Sequence, residues 1–358
     1  MNEDVVVTGY SYHTVYASEG SGIENTDPHS IDYSAQIPKR SDLRSQGLSQ
    51  RLACFAAGQA LEMAGIKAKN EILADADVMV STHFGERDEQ IDSRIFEAYH
   101  GDSVDYKTLI SELSNLRPSL FLAQLQNLFA ANISMVFGVT GMSVTFLGEI
   151  QAGVSAVEEA RNRIVSGRSS VALVGGIFNG ARPDMQSYFN PPSGTDFEST
   201  CGDSSLDLGF GCGFLVLERA SFAKERKAKE KAILGEVVHK NSEENLVALK
   251  RMGGIDYVLT DVASSNKKIF DLTNGVLNEN GPKYFGNLAQ STGSLMEASF
   301  PFSLCIASDV ISGRLKFPIT QSIDSPAGGK IPQQICVTAV GSEPTIASCV
   351  IERGQQNV

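Results

Sequence analysis

The feature that most constrains the fold is an alternation of apolar, strand-like runs with amphipathic, helix-like runs. Residues 4–10 predict a buried strand, residues 50–66 predict a helix with one apolar face, and residues 75–85 predict a second strand. Strands that alternate with helices are typical of mostly parallel sheets that helices cover on both faces. The sequence therefore predicts an α/β fold.

The same order of elements recurs in the second part of the chain. Residues 232–238 are strand-like, residues 244–254 are helix-like and residues 254–265 are again strand-like. This recurrence indicates an internal duplication. We therefore predict two similar halves, 1–225 and 226–358, that pack as one compact unit.

Charge and cysteine content exclude several classes of function. A formal net charge of -12 and a pI near 5.0 argue against a nucleic-acid groove, which needs a concentrated basic surface. The six cysteines lack the spacing of zinc sites or of a disulfide framework, so we expect no metal site. No apolar run is long enough to span a bilayer and the N-terminus does not read as a signal peptide, so we expect a cytoplasmic protein without a membrane partner.

Five segments in the same order resemble one known family. Residues 127–141 are similar to the segment that leads into the nucleophile of β-ketoacyl synthases, and residues 141–160 continue that match. Residues 209–218 resemble the Gly-x-Gly-x-Gly strand of the family. Residues 255–261 and 285–298 resemble the segments that bear its first and second catalytic histidines. The resemblance implies a thiolase-like fold, in which two pseudo-duplicated halves form α-β-α-β-α layers and the protein works as a dimer.

The catalytic residues of that family are missing at the matching positions. Decarboxylative Claisen condensation needs a thiolate at a helix N-terminus and two histidines that promote decarboxylation and stabilise an enolate oxyanion. Counted without gaps from Gly141, the cysteine position falls on Ile150. The resemblance places the two histidine positions on Asp261 and Asn287. An ordinary aspartate is an anion at neutral pH and repels an enolate, so we expect no catalytic residues in this chain.

Chain length factors are ketosynthase relatives with this profile. They usually carry a glutamine in place of the cysteine, within a Glu-Gln-Ala-Gly-like string. Here the string 149–153 reads Glu-Ile-Gln-Ala-Gly and places Gln151 one residue late. Gln151 is therefore a candidate either for the wall of the reaction chamber or for an ordinary capping or solvated residue. An acidic residue at the position of Asp261 is familiar in the subfamily.

Two predicted helices, over residues 83–100 and 122–133, supply candidates for a substrate tunnel. In chain length factors the helix that resembles the first of them helps to wall the polyketide tunnel at the dimer interface. Ordinary core packing explains the same apolar stripes equally well. The candidate tunnel and interface residues are Ile91, Ile95, Gln124, Leu125 and Leu128.

The resemblance implies a non-catalytic chain length factor that forms a heterodimer with an active ketosynthase. Such a subunit shapes the polyketide tunnel and controls the length of the poly-β-ketone held on an acyl carrier protein. It needs no cofactor of its own, because the phosphopantetheine belongs to the carrier protein that serves the partner. Two alternatives stay open: an atypical acyltransferase with a displaced nucleophile such as Cys201, Asp261 or Ser264, and a structural pseudo-ketosynthase homodimer.

Overall fold

A computed structural model describes most of the chain. The described residues are 3–100, 103–115, 118–191, 206–241, 257–262, 284–318, 321–322, 331–341 and 345–354. Their strands are β1 (Val5–Thr14), β2 (Asp77–Thr82), β3 (Tyr99–His100), β4 (Ser103–Val104), β5 (Ser143–Leu147), β6 (Val171–Asn179), β7 (Phe210–Arg219), β8 (Ala232–Asn241), β9 (Tyr257–Thr260), β10 (Tyr284–Asn287), β11 (Gln321–Ser322), β12 (Gln334–Val340) and β13 (Thr345–Arg353).

The helices of the described residues lie mostly in the first half. They are α1 (Arg40–Ser45), α2 (Leu48–Met63), α3 (Glu89–Glu97), α4 (Tyr106–Leu113), α5 (Leu120–Ala123), α6 (Leu128–Phe137), α7 (Ile150–Val165), α8 (Pro183–Phe189), α9 (Ala220–Glu225), α10 (Leu288–Thr292) and α11 (Ser299–Ile311). Short 3₁₀ turns lie at Tyr33–Ala35, Glu71–Ala74 and Met296–Ala298.

Apart from the small β3–β4 ribbon, the strands form one sheet in the order β11-β10-β9-β12-β13-β8-β1-β7-β6-β2-β5. The order outward from the centre is β1-β7-β6-β2-β5 on one side and β8-β13-β12-β9-β10 on the other. In each series the middle strand is antiparallel to the second strand and parallel to the fourth. The duplication expected from the sequence is therefore present in the strand order, while the proposed boundary near residue 225 stays a prediction.

Helices α7 and α11 form the layer between the two strand series. Helix α7 packs on β6 and β2 of the first series and also contacts β12 of the second, while α11 packs on β7 and on β12. Helix α2 covers β1 and β7 and packs against α6. The main hydrophobic core joins α7 and α11 to strands of both series, as an α-β-α-β arrangement requires.

One prediction about local structure is wrong, and another concerns residues that the structure does not describe. The sequence predicts one helix over 122–133, but α5 ends at Ala123 and α6 begins at Leu128. The Ala123 carbonyl accepts a hydrogen bond from the backbone N–H of Glu86 at 2.9 Å, so it is engaged outside the helix at the point where a continuous helix would use it. The helix predicted over 244–254 lies outside the described residues.

The cysteines of the described residues are all buried and unbridged: Cys54, Cys212, Cys305, Cys336 and Cys349. Burial raises the pKa of each of these thiols, so each stays protonated and a poor nucleophile. Among the described helices, none is both long and apolar enough to cross a bilayer.

Candidate functional site

Ile150, which the sequence resemblance assigns to the nucleophile position, is the first residue of α7. Strand β5 ends at Leu147, Glu149 is the residue at the N-cap position without a side-chain capping bond, and Ile150 begins the helix. The Ile150 side chain is 7% exposed and belongs to the main hydrophobic core. A helix N-terminus can lower the pKa of a thiol, but an aliphatic side chain at this position has nothing to ionise.

The structure brings the other predicted positions to the same edge of the molecule. Strands β9, β10 and β12 are parallel, and their carboxyl ends carry Asp261, Asn287 and Gly341 side by side. The side chain of Gln151 lies against Gly341, since a Cβ on that glycine would be 3.3 Å from Nε2 of Gln151. Residues Ile150, Gln151, Asp261 and Asn287 therefore lie in the region where α7 meets these strand ends.

Asp261 is buried without a counter-charge. Neither carboxyl oxygen makes a well-formed hydrogen bond to a described residue. Burial raises its pKa to about 7, and the nearby Ser299 hydroxyl and the backbone of Val340 reduce that increase. Asp261 therefore departs from the ordinary aspartate expected from the sequence, because burial favours its neutral form, which can donate a hydrogen bond.

Asn287 has a structural role at the end of β10. Its Oδ1 accepts a hydrogen bond from the backbone N–H of Ala289 at 3.1 Å and so caps α10. Its Nδ2 donates to the carbonyl oxygen of Val262 at 2.8 Å, which ties β10 to the residue that follows Asp261. The amide thus stabilises backbone at the position that the resemblance assigns to a catalytic histidine.

A buried acid–base pair, which sequence reasoning missed, lies next to this site. His83 follows β2, and its Nδ1 lies 2.6 Å from Oε1 of Glu297. The Glu297 side chain is fully buried. The backbone carbonyl oxygen of Glu297 accepts a hydrogen bond from Ser81 Oγ at 2.8 Å. The same carbonyl touches α7 so closely that a Cβ on Gly153 would lie 2.4 Å from it. The signal in the sequence was a histidine directly after a buried strand, but its partner is 214 residues away.

A wide cleft opens on the α2 side of the sheet, with a volume of about 1010 Å³. Residues from 27–34, 40–51 and 86–90 line it. Glu86 lies at its wall, where both carboxyl oxygens accept hydrogen bonds from Ser49, one from the hydroxyl and one from the backbone N–H. A much smaller void of about 10 Å³ lies beside His83 and shares Asn179 and Arg182 with the cleft.

The predicted tunnel residues do not share one environment. Ile91 is buried within the chain in the first turn of α3, while Ile95 is half-buried. Gln124 and Leu125 lie in the turn between α5 and α6, and Leu128 begins α6. Their role as tunnel walls stays a prediction. Cys201 and Ser264, the displaced nucleophiles considered above, lie outside the described residues.

One end of the large sheet is open. Within the described residues β5 has β2 as its only strand neighbour, so its other edge is free to pair. Met135 on α6 and Leu147 at the end of β5 are 64% and 52% exposed. Helix α4 has no buried residue and exposes an apolar face of Tyr106, Ile110 and Leu113. Large exposed apolar groups of this kind mark protein interaction surfaces.

Solved structures match this fold along nearly its whole length. AntDE:AntF, a type II PKS acyl-carrier protein in complex with its ketosynthase bound to the hexaketide, is 18% identical with a TM-score of 0.74, and covers 99% of this chain and 100% of the matched chain. The ishigamide ketosynthase/chain length factor is 14% identical with a TM-score of 0.72, at the same coverage. A β-ketoacyl synthase from Burkholderia phymatum STM815 is 15% identical with a TM-score of 0.71, again covering 99% and 100%.

At these identities the structural matches establish the fold, which is the thiolase-like ketosynthase fold expected from the sequence. A search of curated protein sequences gave no match. The family of the β-ketoacyl synthase N-terminal domain matches residues 15–223, more than half of the chain. The chain therefore belongs to the β-ketoacyl synthase family.

Proposed function

We propose that this chain is a non-catalytic chain length factor of a type II polyketide synthase. The observation that carries the proposal is the start of α7, where the buried Ile150 stands at the position that the resemblance assigns to the nucleophile. The buried thiols of the described residues supply no substitute. A family member without a nucleophile can serve synthesis by shaping the site of a catalytic partner.

The open edge of β5 and the exposed apolar side chains around it support an active ketosynthase as that partner. An apolar face on a folded chain is best covered by a specific partner, because leaving it in water costs roughly 25 cal/mol per Å². Matches to a ketosynthase with its acyl-carrier protein and to a ketosynthase/chain length factor agree with partners of this kind. In this proposal the partner supplies the thiolate and the histidines, and the carrier protein delivers the chain on its phosphopantetheine.

The pairing is tested by co-expression with a cognate ketosynthase and carrier protein. Met135→Glu and Leu147→Asp each place a charge on the apolar surface beside β5, and we expect each to weaken the complex by about 2 kcal/mol, as interface hot spots do. Tyr16→Glu is the matched control, since Tyr16 is an exposed aromatic at the cleft. Native mass spectrometry measures the complex. A chain that stays a homodimer and turns over substrate alone would overturn the proposal.

Product length is the second readout of the same complex. Ile95 is the sharper position, because it is only half-buried and a change there perturbs the chain's own core less than at Ile91. We expect Ile95→Phe to shorten the polyketide and Ile95→Ala to lengthen it, since overfilling a closed tunnel costs about 1–3 kcal/mol. Ile72→Phe, at a half-buried position in a 3₁₀ turn, is the control and leaves the length unchanged. Unchanged product from both Ile95 variants in an intact complex contradicts length control at this position.

An acyltransferase with a displaced nucleophile is the second candidate, because Asp261 offers a buried carboxyl without a hydrogen-bond partner among the described residues. Incubation of the isolated chain with an acyl thioester, followed by intact mass spectrometry, separates the candidates. The non-catalytic reading predicts no covalent adduct. An adduct that Asp261→Asn or Cys201→Ser abolishes would favour the acyltransferase.

A further inference from the structure

The His83–Glu297 pair is built as an oriented acid–base dyad. His83 Nδ1 and Glu297 Oε1 lie 2.6 Å apart, so they share one proton between them. When that proton is on Nδ1, Nε2 of the uncharged ring is left as an acceptor. Aromatic rings enclose the imidazole, with centroids at 4.1 Å for Phe84, 5.3 Å for Phe189 and 5.4 Å for Tyr188. The rings restrict the orientation of the imidazole and leave its side chain only 12% exposed.

The outer face of the dyad meets a second acceptor across the small void. His83 Nε2 and Asn179 Oδ1 are both buried, and neither has a hydrogen-bond partner among the described residues. Both residues line the void of about 10 Å³, together with Ser49 and Thr82. Two acceptors that face one cavity require a ligand that donates twice. A water molecule meets that requirement, and a void of about 10 Å³ is at the lower limit of what a buried water needs.

Hydrogen bonds continue from the void to the cleft. Asn179 Nδ2 donates to Oε1 of Glu86 at 3.1 Å, and the Ser49 hydroxyl donates to the same oxygen. Glu86 lines the cleft of about 1010 Å³. Arg182, which also borders the void, binds the carbonyl oxygen of Gly85 at 2.9 Å and is paired with Asp184.

The other end of this chain of groups reaches the start of α7. Burial raises the pKa of Glu297, His83 lowers it, and the charge of Glu149, at the N-cap position of α7, raises it further. Glu297 also touches α7 directly, since a Cβ on Gly153 would lie 2.4 Å from its backbone carbonyl oxygen. It is therefore the buried end of a path whose other end meets solvent.

We propose that Glu297, His83, one bound water and Ser49 form a proton relay between the start of α7 and Glu86 in the cleft. In one passage Glu86, protonated from the cleft, gives a proton to the Ser49 hydroxyl, which turns and passes its own to the water, which passes one to His83 Nε2. His83 then gives its Nδ1 proton to Glu297, so one proton has moved and His83 is left with its proton on Nε2. The reverse passage returns that proton to Nδ1. The relay exchanges protons with the α7 end without admitting bulk water there, and it does not depend on the chain length factor assignment.

The site is tested first by NMR of the full chain labelled with ¹⁵N-histidine, which has five histidines to assign. We expect His83 to carry its proton on Nδ1 and to show a lasting magnetisation transfer from water. His239 is the matched control, because it pairs with Glu158 through Nε2 at 2.9 Å on the surface, outside any cage or void among the described residues. A proton on Nε2 of His83, or no water contact there, would overturn the proposal.

The transfer is tested by infrared spectroscopy of the protonated Glu297 carboxyl, identified as the band that Glu297→Gln removes. After mixing with D₂O this band shifts promptly in the wild-type chain, because the relay delivers deuterons. Asn179→Leu removes the second acceptor of the water, so we expect loss of both the water contact and the prompt shift. If that variant does not fold, Ser49→Ala interrupts the path one step nearer the cleft. A prompt shift in a folded variant of either kind would sink the relay.

Discussion

The ends of β2 and β9 are equivalent places in the two strand series, and they bury a titratable group in different ways. His83 follows Thr82 at the end of β2, while Asp261 follows Thr260 at the end of β9. Both approach the start of α11, where His83 meets the Glu297 carboxyl, while Asp261 lies near the Ser299 hydroxyl and the Val340 backbone without a charged partner. The comparison teaches that a duplicated backbone fixes where a buried group lies, whereas the neighbouring side chains decide whether it can keep its charge.

The largest expected effect comes from breaking the His83–Glu297 pair after the end of β2. His83→Leu leaves the Glu297 carboxyl buried without its partner, and removal of one member of a buried pair costs about 3–5 kcal/mol of the free energy of unfolding. Urea unfolding followed by circular dichroism measures it. The double variant His83→Leu with Glu297→Met should recover most of the loss. A double variant no more stable than the single one would mean that the cage needs the histidine itself.

A substitution at Asp261, at the end of β9, should raise the free energy of unfolding instead of lowering it. Since folding raises the pKa of Asp261 from 3.8 to about 7, the folded chain holds a proton that the unfolded chain releases. The free energy of unfolding therefore falls as the pH rises from about 4 to about 7, and the loss is complete above pH 7. Asp261→Asn removes this penalty and should gain about 2–4 kcal/mol above pH 7 and nothing near pH 4. Unfolding curves across this pH range measure the difference, and a gain that does not vary with pH would contradict the assignment.

A smaller loss of stability is expected at Asn287, which the resemblance assigns to the second histidine position and which holds backbone in this structure. Asn287→Ala removes the cap of α10 and leaves the Val262 carbonyl without its amide donor, which should cost about 1–2 kcal/mol. Asn70→Ala is the control, because Asn70 caps an exposed 3₁₀ turn by accepting from the backbone of Ile72 at 3.0 Å. Thermal unfolding compares the two. Equal small losses would show that the bond to Val262 contributes nothing.

The smallest expected effect tests whether burial explains the large loss of stability predicted for the His83–Glu297 pair. His239→Ala removes a histidine–glutamate pair of similar geometry, but both side chains are more than one-third exposed. We expect a loss of less than about 1 kcal/mol, as is usual for exposed ion pairs. The same urea titration as for His83→Leu gives a direct ratio, and a comparable loss at both sites would remove burial as the explanation.

The sequence predicted the elements that depend on local pattern. The apolar runs at residues 4–10, 75–85, 232–238 and 254–265 correctly predicted strands β1, β2, β8 and β9, because a buried strand needs a continuous apolar run. The recurrence of those runs predicted the duplication. The family resemblance assigned Asp261 and Asn287 to two catalytic positions and left the role of Gln151 open, whereas their common location became visible only in the structure.

Features that depend on distant contacts could not be predicted in the same way. The break between α5 and α6 depends on a backbone bond from Glu86 to Ala123, which no periodicity encodes. The raised pKa of Asp261 depends on burial by segments far away in sequence. The His83–Glu297 pair joins a loop after β2 to the turn before α11, and neither residue has an unusual local context.

The open edge of β5 has a consequence for how such a chain is made. Each copy released without a cover for that edge carries unpaired backbone groups beside exposed Met135 and Leu147, and a second copy can pair with them through the same contacts. In the proposed complex the ketosynthase partner covers this edge, so copies synthesised in excess of the partner keep it open and are the ones exposed to pairing with each other. Matched translation of the two proposed partners would keep that excess small.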